Sequence, residues 1–271
     1  MSLIYVPNGK AREYSPLALN IYNGCDHGCT YCYVQGIKRS KTCCQIVQER
    51  KDLLSLLHKE LKQSKPQKQI LLSFMCDPYS NYDETAGVTR EVLKELNAVG
   101  CLVALLTKGG KRCLRDLDIF KSFGSRFKIG ATLTLLNEMQ SKEIEPGAAL
   151  PVERIETLKI LHEAGIKTFV SMEPVIDPAQ SLELMRLTLP FVDQYKIGKL
   201  NHYENRFAKI DWKIFFEKSV ELMRSANKQF YVKADLRVFD TDKILNPHEC
   251  DYDFMALKFE NQDNTSSRVA A

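Results

Sequence analysis

Cys25-Asp26-His27-Gly28-Cys29-Thr30-Tyr31-Cys32, preceded by an apolar run and a turn at Asn23-Gly24, places three thiols in a C-x3-C-x2-C spacing within eight residues. Thiols at that spacing reach one metal centre from a single loop. A tetrahedral zinc site wants a fourth protein ligand, usually from a second CxxC or an HxxxH pair, and the sequence contains neither. Three thiolates on a four-iron cluster leave one iron without a protein ligand, and the softness of sulfur favours iron–sulfur over a hard metal. An iron left open can take a small molecule, by the logic that separates open catalytic metal sites from closed structural ones. Gly24 and Gly28 suit a loop that folds tightly around a bulky cluster, because glycine tolerates positive φ. The competing reading is a loop of unpaired thiols or an incomplete zinc site.

Outward from this stretch, the bulk properties narrow the class. The chain has 271 residues, enough for one large core. Hydrophobic content of 44% and charged content of 27% are those of an ordinary globular protein. A net charge of +4, from 38 basic and 34 acidic residues, is too slight to argue for nucleic acid by itself. No apolar run approaches the roughly 18 residues of a membrane span. The opening MSLIYVPNGK lacks a signal-peptide pattern. Nine cysteines without such a signal argue for a reducing compartment, and the expectation is a cytoplasmic protein with no membrane partner.

In chain order, residues 1–15 read as polar and irregular, and Leu17 to Tyr22 as a first strand leading into the cysteine loop. Gln35 to Lys41 is a basic segment, read as a solvated loop. Leu53, Leu57 and Leu61 recur at helical spacing. Then the pattern repeats. Apolar runs at Ile70–Met75, Leu102–Leu106, Ile129–Leu135, Lys167–Met172, Phe191–Ile197 and Phe230–Leu236 read as strands. Between them lie the helical stripes Val88/Val92/Leu96/Val99, Cys113/Leu117/Phe120, Ile155/Leu158/Leu161, Leu182/Met185/Leu189 and Trp212/Phe216/Val220/Met223. Gly100 and Gly165 stand where helix C-caps belong, each just before a strand. This alternation is the sequence form of βα units around a parallel sheet. An open doubly wound sheet fits it too, but a cysteine loop directly after strand one favours a barrel, whose chemistry sits on loops at the strands' C-terminal ends. The expected organisation is one barrel domain over 1–260, with the run from Phe230 as an extra strand or closing element. Residues 261–271 read as a disordered tail.

In a barrel, the residues after each strand face one pocket. They are Cys76, Asp77, Pro78 and Tyr79; Thr107 and Lys108; Thr132 and Thr134; Ser171, Met172, Glu173 and Pro174; Lys199 to His202; and Lys233 and Asp235. Each alone is explained by a cap or a loop end. Their recurrence at six consecutive strand ends favours a shared site.

The cysteine stretch, with Tyr31 and Tyr33 flanking Cys32, resembles the signature of the radical S-adenosylmethionine (SAM) enzymes. The resemblance to their spore photoproduct lyase-like (DNA repair photolyase-like) branch extends through Asn20–Val34, Ser73–Tyr79, Leu106–Lys108, Leu114–Asp118, Ile129–Thr134, Glu145–Leu161 and Val170–Ile176. It implies a partial (β/α)6 TIM-type barrel and a [4Fe-4S] cluster on Cys25, Cys29 and Cys32. It also implies SAM on the open iron, cleaved to a 5′-deoxyadenosyl radical that abstracts hydrogen from a substrate. By position, Tyr31 and Tyr33 would lie against SAM and Lys108 would meet its carboxylate, an apt task for a compact ammonium. Thr132 or Thr134 would contact the ribose, the Cys76-Asp77 segment would take the amino group, and Glu173 would share that rim. The resemblance further implies an electron donor such as flavodoxin or ferredoxin, and a nucleic-acid lesion or base as substrate. The basic residues Lys38, Arg39, Lys41, Lys108, Lys111, Arg112 and Arg115 are the one hint of nucleic acid. Modification of a small molecule or peptide, or a non-catalytic iron–sulfur electron carrier, are the alternatives.

The departures concern the hydrogen donor. The lyases proper carry a long N-terminal region and a cysteine near the strand-two segment that donates a hydrogen atom to the product radical. Here about fifteen residues precede strand one. Cys76 lies in the corresponding segment and is the candidate donor, against the alternative of a buried structural thiol. Cys43-Cys44, Cys101, Cys113 and Cys250 show no ligand spacing, so no second cluster is expected.

Overall fold

A computed structural model describes residues 2–38, 46–201 and 210–259. The expected basic segment from Arg39 to Lys41, the Cys43-Cys44 pair, His202 and the tail at 261–271 lie outside the described residues. In chain order the strands are β1 (Leu17–Ala18), β2 (Tyr22–Asn23), β3 (Gln48–Glu49), β4 (Ile70–Leu72), β5 (Val103–Thr107), β6 (Phe127–Thr132), β7 (Lys167–Met172), β8 (Gln194–Ile197) and β9 (Gln229–Val232). Seven of them pair in parallel in the order β1-β4-β5-β6-β7-β8-β9, and β2 pairs with β3 in a separate antiparallel ribbon. The seven strands curl into a half-barrel with β1 and β9 as its edges. The run from Phe230 supplies the extra strand β9, paired with β8 at Tyr195↔Phe230, and turns into a short helix at Ala234–Arg237.

Helices occupy the expected stripes: Leu53–Gln63, Val88–Ala98, Leu117–Ser122, Pro151–Glu163, Pro178–Thr188 and Trp212–Ser225. Pro151 and Pro178 start two of them at the position where a missing N–H is harmless. Gly100 follows the end of Val88–Ala98 and Gly165 the end of Pro151–Glu163, at φ +73° and +82°. Behind each glycine the next N–H reaches back to a helix carbonyl, Cys101 to Leu96 and Ile166 to Leu161, both at 3.0 Å.

Alternation along the strands sorts side chains into two environments. Outward residues such as Ile70, Val103, Ile129, Val170, Tyr195 and Phe230 pack under the helices in two apolar clusters. Inward, β4, β5 and β7 contribute Leu71, Ala104 and Phe169 to a small apolar plug. Leu106 packs against that plug, and Lys128, Gln194 and Lys196 are inward polar residues. Lys128 donates to Gln194 at 3.0 Å and to the Met255 carbonyl at 2.5 Å, and Lys196 donates to the Glu13 carbonyl at 2.5 Å. Burial depresses both amines, Lys196 to about 7 with a push from Lys233.

Two expectations change. Strand one does not run unbroken from Leu17 to Tyr22. Asn20 interrupts it: its side-chain oxygen accepts from the Phe74 and Met75 N–H groups at 2.9 Å, and its carbonyl takes Arg50 at 2.8 Å. The chain leaves the sheet there and re-forms as β2. Residues 2–15 are not irregular filler either. Tyr5 pairs with Ala18 of β1 through two backbone bonds of 3.0 and 2.9 Å, while Arg12 forks onto Asp253 at 2.8 and 2.6 Å. Glu13 accepts from the Tyr231 hydroxyl and the Ala234 N–H, each at 2.7 Å. The N-terminal segment thus crosses the seam between the two edge strands, a tertiary role that its composition does not advertise.

Candidate active site

The cysteine loop is held from four sides. Asp26 caps the helix at Asn81–Ala86 by accepting from the Asn81 and Tyr82 N–H groups at 3.3 and 2.9 Å. Thr30 N–H donates to the Ile144 carbonyl and Gly147 N–H to the His27 carbonyl, both at 2.9 Å. Tyr31 donates its hydroxyl to Glu145, whose other oxygen is 2.6 Å from the Arg154 guanidinium. Arg154 and Glu145 are almost fully buried, and Arg154 also donates to the Ala149 and Thr132 carbonyls at 2.7 and 2.9 Å. Gly28 sits at φ +62° with the Pro146 ring where a side chain would begin. The loop is a rigid mount.

The cysteines open onto a cavity of about 500 Å³ at the C-terminal ends of the strands. Cys25, Cys29 and Cys32 are free thiols in its wall, with Tyr31, Tyr33, Cys76, Asp77, Lys108, Thr132 and Glu173. Thr134 is not in that wall; it is buried with its hydroxyl unpartnered among the described residues. Of the other strand-end residues, Thr107, Pro174, Lys199, Leu200, Asn201 and Lys233 reach the cavity.

Asp77 stands in the wall but is spoken for. One oxygen accepts from the Tyr79 N–H at 2.8 Å and the Thr107 hydroxyl at 2.6 Å; the other accepts from the Lys108 N–H at 2.7 Å and lies 3.4 Å from His27 Nδ1. Burial alone would raise this carboxyl, but His27, the Thr107 hydroxyl and the Lys108 N–H and charge hold it below its ordinary value. Burial pushes His27 the other way, below its own ordinary value, against the pull of Asp77. Asp77 therefore pins three loops together: the cysteine loop, its own, and the one after β5. With both oxygens engaged by three hydrogen bonds and the His27 contact, its geometry suits a brace better than a receptor for the SAM amino group.

Lys108 is the contrast. Its ammonium lies 5.9 Å over the Tyr31 ring. Burial works against its charge, yet Cys29, Glu145 and Asp77 together hold it above the ordinary lysine value. The two nearby carboxylates are engaged elsewhere, Glu145 by Arg154 and Asp77 by the Thr107 hydroxyl and the Tyr79 and Lys108 N–H groups. Among the described residues none forms an ion pair with Lys108. A cation kept charged and left open to the cavity is a receptor for an anionic group.

Other motif residues are scaffold. Asp83, fully buried, takes the Tyr22 hydroxyl, the Arg115 guanidinium and the Thr89 N–H. Asp116 accepts from the Tyr79 hydroxyl at 2.8 Å and from Arg90 at 2.9 Å. The Tyr79–Asp116 bond ties the Ser73–Tyr79 segment to Leu114–Asp118. Sequence reasoning passed over His27, Glu145, Arg154 and Tyr14. The first lies inside the cysteine stretch and the next two inside a matched segment, so a signal existed. Tyr14 gave none.

A sequence profile of the radical SAM superfamily matches residues 19–189. The chain belongs to the radical SAM superfamily. An uncharacterized protein of Methanocaldococcus jannaschii is 29% identical over 232 residues, 83% of this chain and 85% of that protein. An uncharacterized protein of Acidianus two-tailed virus is 26% identical over 203 residues, 70% of this chain and 66% of the relative. Among solved structures, spore photoproduct lyase complexed with dinucleoside spore photoproduct superposes with a TM-score of 0.62 at 14% identity, over 84% of this chain and 78% of the lyase. Streptococcus suis SuiB bound to S-adenosylmethionine gives 0.60 at 15% identity, over 83% of this chain. The chain spans about half the length of SuiB, 52%. These structural likenesses carry the fold, a partial barrel of the radical SAM kind.

Members of this superfamily use a [4Fe-4S] cluster and SAM, and the residues present fit both. The donor set is three soft thiols on one loop, and among the described residues no three His, Cys, Asp or Glu groups converge as a single metal ion would require. Three free thiols opening onto one cavity suit a cluster with several irons. Burial raises the Cys25 and Cys29 thiols, Cys29 to about 11, so cluster assembly must drive off their protons. The cavity volume lies in the range of small-molecule sites. Among the described residues no helix is long and apolar enough to cross a membrane.

Proposed function

We propose that this chain is a SAM-cleaving radical enzyme of the spore photoproduct lyase-like kind, acting on a nucleic-acid base or lesion. The observation that carries the first half is one cavity shared by three free thiols and a charged lysine with no ion pair among the described residues. In this reading Cys25, Cys29 and Cys32 hold the cluster and Lys108 takes the SAM carboxylate. Tyr31 walls the site, Tyr33 offers a half-exposed ring to the adenine, and Thr132 meets the ribose. The cluster, reduced and bound, supplies the electron that splits SAM into methionine and a 5′-deoxyadenosyl radical. The chain's own residues exclude water and keep the reacting groups apart from solvent. An electron carrier has no use for such a cavity.

Cys76 is the proposed hydrogen donor. It is buried in the cavity wall, its sulfur accepts the Tyr22 N–H at 3.4 Å, and burial raises the thiol so that it keeps its hydrogen at neutral pH. Donation of that hydrogen atom leaves a sulfur-centred radical, which an electron and a proton from the reductant system restore. A one-electron carrier such as flavodoxin or ferredoxin and a reducing, cytoplasmic setting belong to the same reading. For the substrate, Tyr5 and Phe74 are further aromatic residues of the cavity wall on which a planar base can stack.

The test is anaerobic incubation of reconstituted protein with SAM and dithionite, followed by chromatography for 5′-deoxyadenosine and methionine. Both products are expected, and their absence with an intact cluster sinks the reading. Ultraviolet-damaged oligonucleotide then tests the substrate, with intact bases restored within the strand as the expected product. Cys76→Ala should leave SAM cleavage near normal while diverting that product.

A further inference from the structure

Opposite the cysteines, the cavity wall contains a buried charge cluster that the proposed chemistry leaves unused. Oε2 of Glu173 accepts both the Tyr14 hydroxyl, at 2.8 Å, and the Lys233 ammonium. Among the described residues, Oε1 has only a long contact of 3.3 Å, from Asn201. Lys233 is 2% exposed, lies 4.6 Å over the Tyr14 ring and stands 3.5 Å from Glu13 Oε2. Tyr14 is fixed in turn by Ser171 at 2.7 Å, and burial beside Glu173 keeps its hydroxyl protonated and therefore a donor.

The backbone has been cleared for this cluster. A Cβ on Gly198, just past β8, would fall 3.0 Å from the Glu173 carboxyl carbon and 3.1 Å from Lys233 Cδ. Real Cβ atoms rarely come so close, so any larger residue would push the pair out of place.

We propose that Tyr14 and Lys233 are positioning residues: they commit one oxygen of Glu173 to the protein and thereby present the other to hydrogen-bond donors of the SAM bound in the cavity. The terminal torsion of a glutamate is broad and nearly two-fold. Left alone, the carboxylate would rotate, and a ligand would have to order it on binding. Two donors converging on Oε2 remove that freedom beforehand. The inference rests on the reading that this cavity takes SAM. It goes beyond that reading by making the N-terminal segment, through Tyr14, part of the binding site.

The experiment is a double-mutant cycle on SAM affinity, measured by anaerobic equilibrium dialysis with the reconstituted full chain. Glu173→Gln should weaken binding about tenfold or more, as expected for a charge-assisted contact. Tyr14→Phe, which deletes one hydroxyl, should weaken it about three- to tenfold in the wild-type background and less than about twofold in Glu173→Gln. Gly198→Ala should mimic Tyr14→Phe. Lys233→Met strands two buried carboxylates and risks the fold, so the decision rests on Tyr14→Phe, with thermal unfolding followed alongside. Equal losses for Tyr14→Phe in both backgrounds, or none in either, overturn the proposal while SAM binding by the wild type stands. If the wild type shows no saturable SAM binding, the cavity reading falls and takes the proposal with it.

Discussion

The two walls of the cavity differ in how their polar groups are used. On the cysteine side, the groups facing inward are unclaimed: three free thiols and a lysine whose neighbouring carboxylates are engaged elsewhere. On the β7–β9 side, Glu173, Lys233, Tyr14 and Glu13 hold one another. Unpaired buried polar groups are costly and persist where a ligand completes them. Paired ones set shape. In the proposed reading the first wall would hold the cluster and the SAM carboxylate, and the second would fix how Glu173 faces the cavity.

The largest effect should come from the unclaimed thiols. Replacing any of Cys25, Cys29 or Cys32 with alanine should abolish cluster assembly, seen as loss of about four irons per chain and of charge-transfer absorption. Production of 5′-deoxyadenosine should vanish with it. A triple variant that still binds four irons would break the comparison at its root.

Lys108→Ala should come next. Loss of a charge-assisted contact of about 1.5–3 kcal/mol weakens SAM binding by roughly ten- to a hundredfold. The iron content should stay intact, because the cysteine loop is mounted on Tyr31, Glu145 and Arg154 rather than on the Lys108 ammonium. Iron analysis beside SAM dialysis checks both halves.

Asp77 sharpens the contrast, since it lies on the cysteine side yet is fully claimed. Its folded carboxyl sits below the ordinary value near 3.9, with burial outweighed by His27, Thr107 and Lys108. A depressed carboxyl contributes stability that is complete above its unfolded value and is lost as pH falls through the folded one. Asp77→Asn should therefore destabilise the protein by about 1–3 kcal/mol at pH 7. The gap to wild type should close as pH drops below about 4. Unfolding midpoints across pH 3–7 measure it. A gap independent of pH would show that the charge of Asp77 does not matter.

What the sequence disclosed follows from how local each signal is. The helices were legible because apolar spacing and glycine caps are written within a dozen residues, as in Val88–Ala98 ending at Gly100. The strand-end rule found Lys108 and Glu173 because both immediately follow a strand. It could not separate a free lysine from a braced aspartate, since that depends on Thr107 and His27, 30 and 50 positions from Asp77. Tyr14 was invisible for the same reason: its partners, Ser171 and Glu173, lie more than 150 residues away. Asn20 hid the break in strand one, because only the fold brings Phe74 and Met75 to its side chain.

The smallest effect separates two threonines on one segment. Thr132 ends β6 in the cavity wall, while Thr134 is 1% exposed, outside that wall, with its hydroxyl unpartnered. Replacing a buried, unsatisfied hydroxyl by a methyl of similar shape relieves a desolvated group and loses no hydrogen bond. Thr134→Val should therefore be neutral or stabilising by up to about 1 kcal/mol, with SAM affinity unchanged. Thr132→Val keeps the shape but removes a hydroxyl available to the ligand, and should weaken SAM binding about two- to tenfold with little change in stability. Dialysis and thermal unfolding on the two variants give opposite patterns if only Thr132 serves the cavity. Should Thr134→Val be the variant that loses SAM, an ordered ligand contact must reach behind the wall, and the division between claimed and unclaimed groups would have to be redrawn at β6.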